Sequence, residues 1–198
     1  MTSNRHNRTA DDAVLDAARD CVLAVGVRRT TLTDIARRAG LSRMTLYRRW
    51  PDVRTIVTDL MTREFTALAA DADPGAGSGP VLERFVDAVA DGVATFRAHP
   101  LLRKIVEVDP ELLLPYVLDR LGGTQRRLLE VFEAAIAAGH ADGSVRPGDP
   151  VRQARAVLLV VQSFGLSLST MTDPAAPGLS DDAFTAELRH ILLTSLQP

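Results

Sequence analysis

Residues 31–50 read TLTDIARRAGLSRMTLYRRW, and no other stretch limits the fold of this chain as tightly. Two helix-start signals and one helix-stop signal fall so close together that only two short helices and a tight turn fit. Thr31, with Asp34 three residues on, forms a capping pair. The hydroxyl accepts an orphan amide of the first turn, and the acid suits the positive helix end. Leu32, Ile35, Ala36 and Ala39 recur at the spacing of one helical face. Gly40 follows the last of them, where a left-handed C-cap favours glycine. Leu41 tucks back, and Ser42 is a second N-cap that opens a helix from Arg43. On this helix Leu46 and Trp50 point inward, while Arg43, Met44, Thr45, Tyr47 and Arg48 point outward or flank it.

Two such helices with arginines on the outside are the build that lays its second helix in a DNA major groove. Arginine reads guanine O6 and N7 with two hydrogen bonds, and Thr or Met contacts a thymine methyl. Ser42, Tyr47 and the capped helix starts suit phosphates. The competing reading is a solvated basic hairpin inside an all-helical protein, and charge separates the two. Residues 26–54 hold eight arginines against Asp34 and Asp52. Residues 1–65 carry 12 basic and 8 acidic side chains, residues 66–198 carry 11 and 17, and the whole chain is nearly neutral at −2. A basic head on an acidic body suits a local phosphate contact rather than general coating of nucleic acid.

The run Thr31-Leu-Thr-Asp34-Ile-Ala36, then Ala39-Gly-Leu-Ser42, Thr45-Leu-Tyr47 and Trp50-Pro51, resembles the tetracycline-repressor (TetR) family of bacterial transcription regulators. The likeness spans roughly residues 10–65 without a gap; beyond it only length and helical layout match. It implies an all-α homodimer. Each subunit would carry a three-helix DNA-binding head and a helical body with a small-molecule pocket and the dimer interface. Ligand binding would spread the heads and release a palindromic operator. Two positions depart from the family pattern. Met44 stands where the family often has glycine, which puts a long apolar side chain toward the bases. Val53 stands where a phosphate-binding lysine is frequent. Arg54 next door, or Arg49, is the nearest substitute; a helix turns about 100° per residue, so neither is a direct replacement.

The expected division is a helix-turn-helix domain over 1–52 and a regulatory, ligand-binding and dimerisation domain over 53–198. Arg43, Met44, Thr45 and Arg48 are expected at base edges, and Thr31, Thr33, Ser42, Tyr47, Arg49 and Arg54 at phosphates. Before the motif, residues 1–9 are polar and expected to fray, and residues 10–25 form an amphipathic helix closed by Gly26. A fourth helix starts after Asp52 and runs to about residue 70. The stretch 71–80, with five Gly or Pro, reads as a linker.

In the body, helices are expected over 81–98, 101–107, 110–120, 122–139, 150–171 and 181–196. The helix over 150–171 is apolar nearly all round between Val157 and Leu168, which demands burial on every side, partly by a second subunit. With the stripe Phe184, Leu188, Ile191, Leu192 and Leu196 it forms the expected dimer face; the competing reading is a monomer that absorbs both stripes in its own core. Met61, Phe85, Phe96, Tyr116, Phe132, Gln162, Phe164 and Met171 are large or polar residues on apolar faces. If they converge they line a pocket for a small apolar or aromatic effector, with Tyr116 and Gln162 as hydrogen-bonding groups. The competing reading for each is ordinary core packing.

Apolar content of 46% supports true cores, and few aromatics with much Ala and Leu favour helix over sheet. Lys104 is the only lysine, a bias that fits a GC-rich genome. Cys21 is the only cysteine, so no intrachain disulfide forms, and its place on an apolar helix face makes it a buried thiol. His6, His99, His140 and His190 are isolated. There is no HExxH, CxxC, P-loop or dinucleotide fingerprint, so no enzyme activity, metal or cofactor is expected. No signal peptide or membrane span is legible, which points to the cytoplasm. Two rival functions remain: a nonspecific DNA-binding protein, and a DNA-binding adaptor regulated by a protein partner.

Overall fold

A computed structural model describes residues 2–71, 78–173 and 175–198, with side chains from residue 11 onward apart from 69–71. The described residues form α1 (Thr2–Val25), α2 (Leu32–Arg38), α3 (Arg43–Arg49), α4 (Val53–Asp71), α5 (Val81–Ala98), α6 (Pro100–Val108), α7 (Leu114–Leu118), α8 (Gly123–Asp142), α9 (Pro150–Ser167) and α10 (Asp181–Leu196), with three short 3-10 turns. The chain is all-α, as its composition predicts, and no helix among the described residues is long and apolar enough to cross a membrane. The helices gather into two compact units, one of residues 1–64 with 99–122, the other of 65–98 with 123–198.

In the first unit α1 packs on α2 and α6. Val14, Ala18, Val22, Ile35, Ile56 and Leu60 are almost fully buried. Gly26 ends α1 at φ +82°, and a Cβ there would meet Val108 Cγ1 at 2.9 Å and Asp109 Oδ2 at 3.2 Å. Glycine is thus required twice, for backbone shape and for room. Asp109, at the end of α6 and 1% exposed, accepts hydrogen bonds from Val27 N–H (2.7 Å) and Arg28 N–H (3.3 Å). The Arg28 guanidinium lies 3.6 Å from Asp109 and 2.8 Å from Glu111. One buried carboxylate therefore fastens the turn between α1 and α2. Burial also pushes the Cys21 thiol up from its ordinary pKa.

In the second unit α5 packs on α8, α9 and α10. Phe85 meets Phe132 edge to face at 5.3 Å, and Phe65 meets Phe96 at 4.9 Å. The α5 start is capped from outside: Val81 N–H donates to Asp142 Oδ2 (2.9 Å) and Leu82 N–H to Ser144 Oγ (3.2 Å). Hydrogen bonds from Ser144 and from Val81 N–H hold the Asp142 carboxyl below its ordinary pKa. Arg189 of α10 reaches back to Asp87 (3.0 Å) and Asp91 (2.6 Å) on α5.

Several boundaries differ from the sequence reading. α1 begins at Thr2 rather than near Ala10, because residues 2–9 contain no Gly or Pro and a helix anchored by the buried turns after Val14 propagates backward at little cost. Residues 110–120 hold a 3-10 turn (Pro110–Leu112) and the short α7, since Pro115 inside the run lacks an N–H and its ring clashes with the preceding turn. The helix expected over 150–171 ends at Ser167 and gives way to a 3-10 turn, where the Thr170 hydroxyl bonds the Ser167 carbonyl at 2.7 Å. It is not buried on every side within one chain either. α9 buries Ala154, Val157, Leu158 and Gly165 against α5 and α8, while Leu159 on the opposite face is 71% exposed. On α10 Leu188, Leu192 and Leu196 are buried, and Phe184 and Ile191 only in part. Most of the expected linker, residues 72–77, lies outside the described residues.

Two substitutions test this packing. Asp109→Ala leaves the Val27 amide buried without an acceptor and is expected to lower unfolding free energy in urea by roughly 1–3 kcal/mol, whereas Glu111→Ala, at the exposed end of the same cluster, leaves it nearly unchanged. Gly139→Ala in α8 drives a Cβ into Val145 Cγ2. It should destabilise by about 1–3 kcal/mol, although Gly to Ala inside a helix ordinarily stabilises; a rise in the urea midpoint would contradict the close approach.

Candidate nucleic-acid interface

The turn between α2 and α3 is built from the signals read in the sequence. Thr31 Oγ1 accepts from Asp34 N–H at 3.1 Å and donates to the Asp34 carboxylate at 2.5 Å. At the other end, Gly40 sits at φ +68°, its N–H bonded to Arg37 O (3.3 Å) and Leu41 N–H to Ala36 O (3.0 Å), which is the Schellman pattern. Ser42 Oγ then accepts from Thr45 N–H at 3.2 Å. Leu46, 1% exposed, and Trp50, 4% exposed, anchor α3 from below. The Trp50 indole N–H donates to Asp59 of α4 at 2.8 Å, locking the end of α3 to the next helix.

This anchoring fixes what α3 presents. Arg43, Met44, Thr45, Tyr47 and Arg48 are all exposed, Met44 by 79%. The Thr45 hydroxyl lies 2.8 Å from Ser42 Oγ, so its hydrogen-bonding capacity is partly engaged in the cap while its methyl is left available. Ion pairing sorts the arginines. Arg28 is held by Glu111, Arg37 by Asp34 (2.8 Å), Arg38 by Asp20 (3.1 Å) and Arg49 by Asp11 (2.5 Å), and Arg49 also stacks over Trp50 at 5.1 Å. Arg29, Arg43, Arg48 and Arg54 are exposed and pair with no carboxylate among the described residues. Arg29 was not singled out from the sequence. Nothing local distinguishes it from Arg28; only the distant Asp109 and Glu111, which claim Arg28, do so. Of the other expected phosphate contacts, Thr31, Ser42 and Tyr47 are exposed and Thr33 is half-buried.

The family profile described as bacterial regulatory proteins, tetR family, matches residues 14–57. An uncharacterised HTH-type transcriptional regulator of Mycobacterium bovis is 37% identical over 179 residues, covering 90% of each chain. The chain belongs to the TetR family. Among solved structures, the R. erythropolis transcriptional repressor QsdR superposes with a TM-score of 0.67 at 15% identity, over 94% of this chain and 95% of that one. The Stenotrophomonas maltophilia repressor SmeT, in its triclosan complex, gives 0.66 at 18% identity, over 96% and 92%. These last two likenesses concern the fold. The protein is thus a TetR-family helix-turn-helix transcriptional regulator, a non-enzymatic class.

In this TetR-family chain the residues expected at an effector pocket are found in both compact units. Met61 and Tyr116 belong to the first unit. There they line a cleft of about 260 Å³ along α4 and α7, and the Tyr116 hydroxyl lies 3.2 Å from Thr58 Oγ1. Phe85, Phe96, Phe132, Gln162 and Phe164 belong to the second unit. Phe85 pairs with Phe132. Phe96 pairs with Phe65 and sits 3.3 Å from where a Cβ of Gly165 would stand, so the absent side chain makes room for the ring. Gln162 Oε1 accepts from Gln125 Nε2 at 2.6 Å, and Phe164 is half-buried. Met171 is 61% exposed, because α9 has already ended before it.

The anchoring and presenting roles separate in thermal unfolding. Ser42→Ala removes the α3 cap and should cost about 1 kcal/mol. Met44→Ala, on the open face, should leave the midpoint unchanged; a comparable drop would place Met44 in the core.

Proposed function

We propose that this chain is an effector-responsive repressor that binds a palindromic operator as a homodimer. The observation that carries this reading is the α3 surface: Arg43, Met44, Thr45, Tyr47 and Arg48 exposed on a helix pinned by Leu46 and Trp50. Residues 1–52 form the reader and 53–198 the regulatory and dimerisation part. Arg43, Met44, Thr45 and Arg48 meet base edges. Thr31, Thr33, Ser42, Tyr47 and Arg54 meet phosphates, joined by Arg29. Arg49 reaches a phosphate only by giving up Asp11.

The α9 and α10 segments supply the dimer contact. Leu159 and the 42% exposed Val151 on α9 support it, since a second copy removes such side chains from water. Two-fold symmetry then places the recognition helices about 34–36 Å apart, one turn of DNA. A small apolar or aromatic effector is favoured by the Phe85–Phe132 and Phe65–Phe96 pairs of the body helices. The triclosan complex of the similarly folded SmeT supports the same class. The protein works in the cytoplasm, where the DNA is.

Fluorescence anisotropy with the DNA upstream of its own gene, against a scrambled duplex, tests the reading. A preference of about 10³-fold or more at physiological salt is expected. Arg43→Ala should flatten that preference. Arg54→Gln should lower the slope of log affinity against log salt by about one unit at unchanged preference. Equal weak binding of wild type to all duplexes would remove the operator reading.

A further inference from the structure

The cleft of about 260 Å³ in the first unit carries a chemistry that the apolar-effector expectation does not include. Its floor is apolar, with Met61 and Leu112 among its residues. One wall holds the hydroxyl pair of Thr58 and Tyr116, 3.2 Å apart. Two exposed guanidiniums, Arg54 and Arg120, complete it, and neither pairs with a carboxylate among the described residues. Arg120 stacks toward the Tyr116 ring at 5.8 Å, which holds it over the cleft.

Two of the acids nearby, Asp52 and Glu111, are already engaged; Asp119, next to Arg120 in sequence, is exposed. Asp52, also on the lining, caps α4 by accepting from Thr55 N–H (2.7 Å) and Thr55 Oγ1 (2.9 Å), and these bonds hold its carboxyl below the ordinary pKa. Glu111 is paired with Arg28 at 2.8 Å. The lining thus keeps a net positive charge and two planar donor forks beside an apolar floor.

We infer that this cleft binds a small amphipathic carboxylate, its ring or short chain on Met61 and Leu112 and its carboxylate between Arg54 and Arg120. An arginine fork matches a carboxylate with two parallel hydrogen bonds, and a neutral polar group does not replace that. The Thr58 hydroxyl donates to the Arg54 carbonyl at 3.0 Å and so accepts from Tyr116, which leaves the pair to offer acceptor lone pairs to a donor substituent on the ring. The cleft is a site beyond the aromatic one proposed above and engages Arg54, there assigned to a phosphate, so its biological role rests on the effector-responsive reading. Binding itself is tested without DNA, so failure of the cleft and failure of the operator reading appear in different experiments.

The probe is 2-naphthoate, titrated into the full chain by isothermal calorimetry, with 2-naphthamide as its neutral counterpart. Naphthoate should bind saturably with a dissociation constant of about 1 mM or tighter, as ordinary ligand efficiency allows for a two-ring acid. The amide should bind at least about ten-fold more weakly. Arg120→Gln should weaken naphthoate by at least about ten-fold. Arg126→Gln, the same charge change on α8 in the other unit, should leave it unaltered. Both arginines are exposed, so both variants keep the fold, checked by circular dichroism. Absence of saturable binding, equal binding of the amide, or equal effects of the two variants would overturn the assignment.

Discussion

A helix of seven residues does not hold itself in water, and the helix-turn-helix of this protein rests on two of them, α2 and α3. Each persists because its start is capped by a hydroxyl and one of its faces is buried. The Schellman turn at Gly40 satisfies carbonyls at the end of α2 and redirects the chain within two residues into the Ser42 cap. Leu46 and Trp50 then fix the rotation of α3 about its axis. Everything exposed on that helix is exposed because those two are not.

The same logic extends to charge. A cluster of arginines this dense would repel itself if all were free. Acids pair with four of the eight: Asp34 within the cluster holds Arg37, while Asp11 and Asp20 of α1 hold Arg49 and Arg38 and Glu111 holds Arg28. Such exposed pairs add little to stability individually. Their effect is selection, leaving Arg29, Arg43, Arg48 and Arg54 exposed and without a carboxylate partner among the described residues. Asp109 plays a different part: buried and bonded to backbone amides, it ties the end of α6 to the α1–α2 turn within one unit.

Legibility followed the range of the interactions. The caps at Thr31 and Ser42, the glycine turn and the inward Leu46 and Trp50 depend on neighbours within four residues, and all could be read directly. Element ends that depend on competition between side chain and backbone were harder. The Thr170 hydroxyl bonds the Ser167 carbonyl where α9 ends early, and Pro115 splits what periodicity reads as one helix. The surroundings of the candidate effector residues were the least legible. Periodicity places Phe85, Phe96, Phe132 and Tyr116 on apolar faces, but says nothing about which faces meet. Tyr116 and Met61 sit with two arginines that no apolar pattern marks.

The chain alone determined its fold class, its family and the face of α3, because caps, a left-handed glycine and helical periodicity are local physics written in consecutive residues. Tertiary structure decided which arginines are free, that Asp109 clamps the α1–α2 turn from more than eighty residues away, and that Arg54 and Arg120 share a cleft. Those outcomes hinge on distances between segments far apart in sequence. A charge or an aromatic ring has the same identity whether or not a partner stands beside it, and only the packed chain supplies the partner.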